Sequence, residues 1–144
     1  MNKLKILFVS SNNTCRSIIA SAIGNNLYGN NVSFHAAGIS NASSDPYTLT
    51  VLEEIGITGY SFVIKNIKDL NLDEFDIIIT LSNESARYLG SLSPDKRILN
   101  ISFDNPLNLH SDSGSDEDII SYYRLIRDEI KIFLDKLPTI LTNF

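Results

Sequence analysis

Eight consecutive polar residues, Ser10-Ser11-Asn12-Asn13-Thr14-Cys15-Arg16-Ser17, join an apolar run to a helical pattern and hold the chain's densest candidate chemistry. A loop that ends at a helix N-terminus presents backbone N–H groups without intrahelical partners, and the helix dipole adds partial positive charge. Arg16 contributes a planar, permanently charged donor fork that suits a tetrahedral oxyanion. Asn12 and Asn13 are of the type that, after glycine, most readily enters the left-handed conformation an anion-cradling turn demands. The segment reads as an oxyanion cup built from Ser10 through Ser17. The alternative is an ordinary polar strand-to-helix loop with a surface arginine.

Cys15 is the only cysteine, so no intrachain disulfide can form, and a reducing compartment, the cytoplasm, is expected. It reads either as a redox-sensitive thiol or oxyanion ligand, or as a small residue packed against the helix. His110 falls in a polar stretch and reads as a solvated surface residue. His35 alternates with Phe34 and reads as a packed or hydrogen-bonded group at the core edge. Asp112-Ser113-Gly114-Ser115-Asp116 has a superficial likeness to a calcium loop, but the ligand spacing and the terminal glutamate fail, leaving a mobile acidic segment. Tyr122-Tyr123 reads as helix packing. The sequence carries no phosphate-binding Walker loop, dinucleotide fingerprint, zinc spacing or basic stripe, so neither metal nor cofactor is expected.

The elements that must hold these groups follow from periodicity. Ile6-Leu7-Phe8-Val9 is a short apolar strand, and from Ser17 a helix begins whose stripe is Ile18, Ile19, Ala22, Ile23 and Leu27. Val32 to Ala36 forms a second strand closed by Gly38, and Ser40 to Ser44 a polar loop. Asp45-Pro46 starts a helix as N-cap and first helical residue, with Leu49, Leu52 and Ile55 as its stripe and Gly56 as its stop. Asp76 to Leu81 holds three successive isoleucines, as expected of a strand buried on both faces. Ser82 or Asn83 caps a short helix through Tyr88, with Gly90 beyond it, and Arg97 to Ile101 is a weaker fourth strand. Ser102 to about Ser115 is irregular, and the last helix starts at Asp116-Glu117-Asp118, carboxylates favoured at the positive end of the dipole. Its stripe is Ile119, Tyr123, Ile126, Ile130, Phe133 or Leu134, and Leu137.

Strand–helix alternation defines an α/β fold with a parallel sheet, whose ligands sit beyond the carboxyl ends of the strands. The 144 residues make one domain, 1–144, at ~150 residues per domain, and 43% apolar with 20% charged residues is ordinary for a globular chain. Twelve basic against 17 acidic residues give 12 − 17 = −5, so no global field gathers polyanions, and nucleic acid is not an expected partner. No stretch approaches the ~20 apolar residues that cross a bilayer, so no membrane association is expected.

The run Phe8 to Ser17 resembles the phosphate-binding loop of the low-molecular-weight protein tyrosine phosphatases, and is closer still to that of their relatives, the thioredoxin-coupled arsenate reductases. The likeness continues along the chain. Ala36-Ala37-Gly38 is similar to the family's turn after the second strand, and Asp76 to Leu81 to the strand before the resolving segment. Phe103-Asp104-Asn105-Pro106 resembles the loop that carries the general acid, and Arg124 to Lys131 the C-terminal helix of the arsenate reductases. The resemblance implies a three-layer sandwich, a four-stranded parallel sheet of order 2-1-3-4 with helices on both faces. It also implies phosphate or a related oxyanion as ligand, or a phosphorylated partner, and a monomer or weak homodimer.

Against that family the catalytic positions are changed together. The nucleophilic cysteine, six residues before the arginine, is Ser10, and a hydroxyl needs an adjacent base where a thiol can ionise. The acid aspartate before proline is Asn105, which donates a hydrogen bond but delivers no proton, leaving Asp104 as the possible substitute. The second cysteine of the reductase relay is Ser82, and none follows it. The tyrosines that wall in an aromatic phosphoester are Leu107 and Asn108. Potassium-ligating carboxylates of some arsenate reductases fall on Ser21 and Lys65, and Lys65 is a candidate replacement for the cation. Three readings follow: a catalytically degenerate oxyanion-binding protein; a weak phosphatase or arsenate reductase using Cys15 or Ser10 with Asp104; and an interaction protein with a vestigial anion site.

Overall fold

A computed structural model describes residues 3–12, 15–40, 46–58, 65–90, 97–104 and 115–143. Four strands, β1 (Leu4–Asn12), β2 (Val32–Ser40), β3 (Ile77–Thr80) and β4 (Ile98–Asn100), form one parallel sheet of order β2-β1-β3-β4. The helices are α1 (Arg16–Tyr28), α2 (Pro46–Glu53), α3 (Asn83–Gly90), α4 (Asp116–Asp135) and α5 (Leu137–Thr142). The expected α/β architecture and strand order are those observed.

Strand alternation divides the core into two layers. Ile6, Phe8, Ile77 and Ile79 point to one face, where they pack with α1, α2, α4 and α5 through Ile18, Ile19, Leu52, Tyr123 and Leu134. Leu7, Val9 and Ile78 point to the other, against Leu89 of α3 and against Ile67 and Phe75 of the segment before β3. All four residues of β3 are buried, as three isoleucines in series require of a strand covered on both sides. Helix α1 is buried along its whole N-terminal half, and Gly24 lets it approach β2, since a Cβ there would lie 2.9 Å from the Phe34 ring.

Several boundaries differ from those periodicity suggests. Strand β1 does not stop at Val9: Ser10 pairs with Gly38 and Asn12 with Ser40, so Ser10, Ser11 and Asn12 belong to the strand and not to the following loop. Strand β2 likewise runs through Gly38 to Ser40, because backbone pairing continues where apolar patterning ends. Ser82 caps α3, its Oγ accepting from the Ser85 N–H at 3.1 Å, and Gly90 is that helix's last residue rather than lying beyond it. Gly56 takes φ +86° after α2, the left-handed turn its type permits. Two 3₁₀ turns, Ile67–Asp69 and Leu72–Glu74, precede β3, each opened by an asparagine that accepts from a backbone N–H two residues on. Leu137, expected to extend the last helix, opens α5 instead, with Pro138 in its first turn. The Asp45 cap, the 41–44 loop and the 105–114 stretch lie outside the described residues.

Candidate functional site

The carboxyl ends of all four strands meet at one cleft of about 570 Å³, and each supplies a serine next to it: Ser11 from β1, Ser40 from β2, Ser82 after β3 and Ser102 after β4. This is the place where a doubly wound sheet of this order leaves room, since chain crossovers diverge from the neighbouring strands β1 and β3. Arg16, Asn83, Glu84, Arg87, Phe103 and Asp104 also line it, and Phe103 is the only apolar residue among the described lining residues.

Strand alternation places the β1 hydroxyls on opposite faces. Ser10 turns toward α1, is fully buried and donates to Ser17 Oγ at 2.9 Å. Ser11 turns toward α3 and donates to Ser82 Oγ at 3.1 Å, while its carbonyl accepts from Ser40 Oγ at 2.9 Å. Ser82 and Ser85 share a hydrogen bond of 2.8 Å, and Ser85 Oγ also donates to the Val9 carbonyl at 3.2 Å. The hydroxyl network thus ties the end of β1 to the start of α3.

Cys15 stands at the N-cap of α1 without a side-chain cap bond, and the helix has no acidic residue in its first turn. Its thiol is 4% exposed and belongs to the core cluster, which fits the packed-residue reading. Arg16 opens the helix and is 5% exposed, with one guanidinium nitrogen donating to the Phe103 carbonyl at 3.0 Å. Burial pulls the Arg16 pKa below its ordinary value, and the Coulombic influence of Cys15, Glu84 and Asp104 opposes that pull. Arginine starts so far above neutrality that the site keeps a positive charge at physiological pH. Phe103 is itself held by its N–H to the Leu81 carbonyl at 3.0 Å and by its ring against Phe133 of α4.

Among the eight residues expected to form the cup, Ser11 and Arg16 line the cleft, and Ser10, Cys15 and Ser17 are buried. Asn13, Thr14 and the Asn12 side chain lie outside the described residues, as do Asn105, Pro106 and His110. Asp104 lines the cleft. Ser40, Asn83, Glu84, Arg87 and Ser102 line the cleft without a motif that marks them in the sequence. Ser40, Asn83, Glu84 and Ser102 share one signal, a position at or just past a strand's carboxyl end, whereas Arg87 lies a turn inside α3 and has none.

The residues outside the site behave as ordinary structure. His35 Nε2 and Ser33 Oγ are 2.9 Å apart, and the ring packs edge-on to Phe75 at 5.4 Å; burial, with Lys5 and Lys65 adding, lowers its pKa. Ser21 is buried and donates to the Ile18 carbonyl at 3.1 Å, and the Lys65 carbonyl accepts from the Gly38 N–H at 2.9 Å. Among the described residues no cluster of three His, Cys, Asp or Glu could hold a metal ion, and no helix is long and apolar enough to cross a membrane.

A four-stranded parallel sheet of order 2-1-3-4 with helices on both faces is the phosphatase-like α/β fold. The chain belongs to the family described as low molecular weight phosphotyrosine protein phosphatase, which it matches over residues 5–141. It is 29% identical over 130 residues to an arsenate reductase of Halalkalibacterium halodurans, covering 90% of this chain and 91% of that protein. An arsenate reductase from Archaeoglobus fulgidus superposes with a TM-score of 0.72 at 30% identity, covering 92% of this chain and 97% of its own. A mutant YwlE arginine phosphatase with a phosphorylated active site serine superposes with a TM-score of 0.75 at 22% identity, covering 96% of each chain.

Proposed function

We propose that this protein binds phosphate or a similar oxyanion at the junction of β1 and α1 and does not turn it over. The observation that carries this reading is the pairing of a retained cation with a disarmed nucleophile. Arg16 is in place at the helix start and lines the cleft, while the position six residues earlier holds a hydroxyl that donates to the neutral Ser17 Oγ. A hydroxyl ionises far less readily than the thiol it stands in for, so it attacks a phosphorus centre poorly. Asn105, before Pro106, supports the same reading, since an amide cannot protonate a leaving group. Isothermal titration with inorganic phosphate tests it. The wild type is expected to bind, Arg16→Ala to lose at least tenfold in affinity, and neither to release phosphate from an aryl phosphate above background. Titration with no heat of binding, or steady turnover by the wild type, ends the reading.

A second reading has one observation in its favour, the related arginine phosphatase mutant that carries a phosphorylated serine. In it Ser10 accepts a phosphoryl group once. The Ser10 Oγ–P bond forms, the donor's bond to phosphorus breaks, and the hydroxyl proton departs with the leaving group. A serine alkoxide is a far poorer leaving group than a thiolate, so the phosphoserine persists. Intact mass spectrometry after incubation with an aryl phosphate separates the two: one added phosphoryl group, absent from Ser10→Ala, favours this second course.

A further inference from the structure

The cleft holds two arginines, and its hydroxyls are committed elsewhere. Ser40 donates its hydroxyl proton to the Ser11 carbonyl, Ser11 to Ser82 Oγ and Ser102 to Asn83 Oδ1 at 2.7 Å. A hydroxyl has one proton to give, so these three present acceptor lone pairs to a ligand and cannot greet an anion. The charged donors of the outer cleft are therefore its guanidinium groups. Arg16 serves the β1–α1 junction and is partly engaged by the Phe103 carbonyl. Arg87, one turn into α3, lines the same cleft from the opposite wall. It is exposed, and among the described residues it has no hydrogen-bond or ion-pair partner, although Glu84 stands three residues before it on the same helix. A surface arginine three residues from a glutamate would ordinarily pair with it. Here Glu84 bears instead on Arg16, whose charge it helps to hold.

We infer that Arg87 is a specificity-determining residue for a ligand with two anionic groups, one seated at Arg16 and the second, a phosphate or carboxylate, at Arg87. The inference rests on the oxyanion-binding reading above. The acceptor lone pairs of Ser11, Ser40 and Ser102 in the cleft suit a ligand whose connecting atoms carry hydroxyl or N–H donors.

Competition titrations with inorganic phosphate, pyrophosphate and 3-phosphoglycerate test this on the full chain. The last two ligands distinguish a second phosphate from a carboxylate. At least one of them is expected to bind about tenfold more tightly than phosphate, the gain of one charge-assisted contact. In Arg87→Gln that ratio falls to about one, and Arg87→Lys restores part of it. Lys68→Gln, which removes an exposed charge on a 3₁₀ turn away from the cleft, keeps the ratio and so excludes a general charge effect. If phosphate binds but neither longer ligand binds more tightly, or if Arg87→Gln leaves the ratio intact, the assignment of Arg87 is wrong while the oxyanion site stands. If phosphate itself fails to bind, both fall together.

Discussion

Ser10 differs by a single atom from the nucleophilic cysteine that the resemblance implies at this position, and that atom decides whether an anion can form there. A thiol at a helix N-terminus beside a guanidinium ionises near or below neutrality, whereas a hydroxyl does not. Ser10→Cys is accordingly expected to acquire slow hydrolysis of an aryl phosphate, with a pH profile that rises as the thiol ionises. Ser10→Cys with Asn105→Asp should be about a hundredfold faster, the usual scale of general acid catalysis, as stopped or continuous chromogenic assays would register. If the double variant is no faster than the wild type, the disarmed-nucleophile account of this site is wrong. Cys15 calls for the opposite expectation. At 4% exposure within the core cluster it should react slowly with a thiol reagent in the folded protein and promptly in denaturant.

Among the described residues, a cluster of charges joins the end of α2 to α4. Arg127, with a side chain 10% exposed, donates to Glu54 at 2.8 Å and to the Val51 carbonyl at 3.0 Å, and Arg124 grips the same carboxylate at 2.7 Å. Glu54 keeps its bonds to Arg124 when Arg127 is removed, so Arg127→Ala forfeits its charge-assisted hydrogen bonds to Glu54 and the Val51 carbonyl without stranding a charge, and is expected to cost about 2 kcal/mol in denaturant unfolding. Hydrogen bonds from Arg124, aided by Arg127, hold the Glu54 carboxyl below its ordinary pKa. A carboxylate depressed in the folded state stabilises it fully above the unfolded pKa and progressively less as pH falls through the folded value. Unfolding followed at pH 6 and at pH 3 should therefore show Glu54→Gln losing less stability with acid than the wild type. Helix α1 gives a steric counterpart. Gly24→Ala pushes a methyl into the Phe34 ring, itself stacked on Phe8 with centroids 5.6 Å apart, and should cost about 1–3 kcal/mol.

For the whole molecule, ligand and stability are linked through the cleft. A ligand that binds the folded state alone stabilises it by about 2.7 kcal/mol at a hundred times its dissociation constant. Phosphate at that excess should raise the melting temperature of the wild type by several degrees and that of Arg16→Ala very little, as scanning calorimetry with and without phosphate would measure. A net charge of −5 works against this binding at long range, so affinity should depend on the local cation and not improve in low salt as it would for a basic protein.

Helices, strands and their parallel arrangement were written into local patterning. Three successive isoleucines in β3, the apolar stripe of α4 and the polar run after Val9 each report an environment that adjacent residues share, and order along the chain constrains the topology. The resemblance of residues 8–17 likewise points to Arg16 from sequence alone. What neighbours in sequence could not reveal is where β1 and β2 end, because Ser10, Ser11, Gly38 and Ser40 are held by cross-strand hydrogen bonds and not by apolar side chains. The cleft's outer wall is of the same kind. Ser11, Ser40, Ser82 and Ser102 are scattered through 92 residues, Arg87 is one surface arginine among several, and parallel pairing alone carries their strand ends to one edge. Contact between distant segments is a property of the folded sheet, and in this protein it decides which charges a ligand meets.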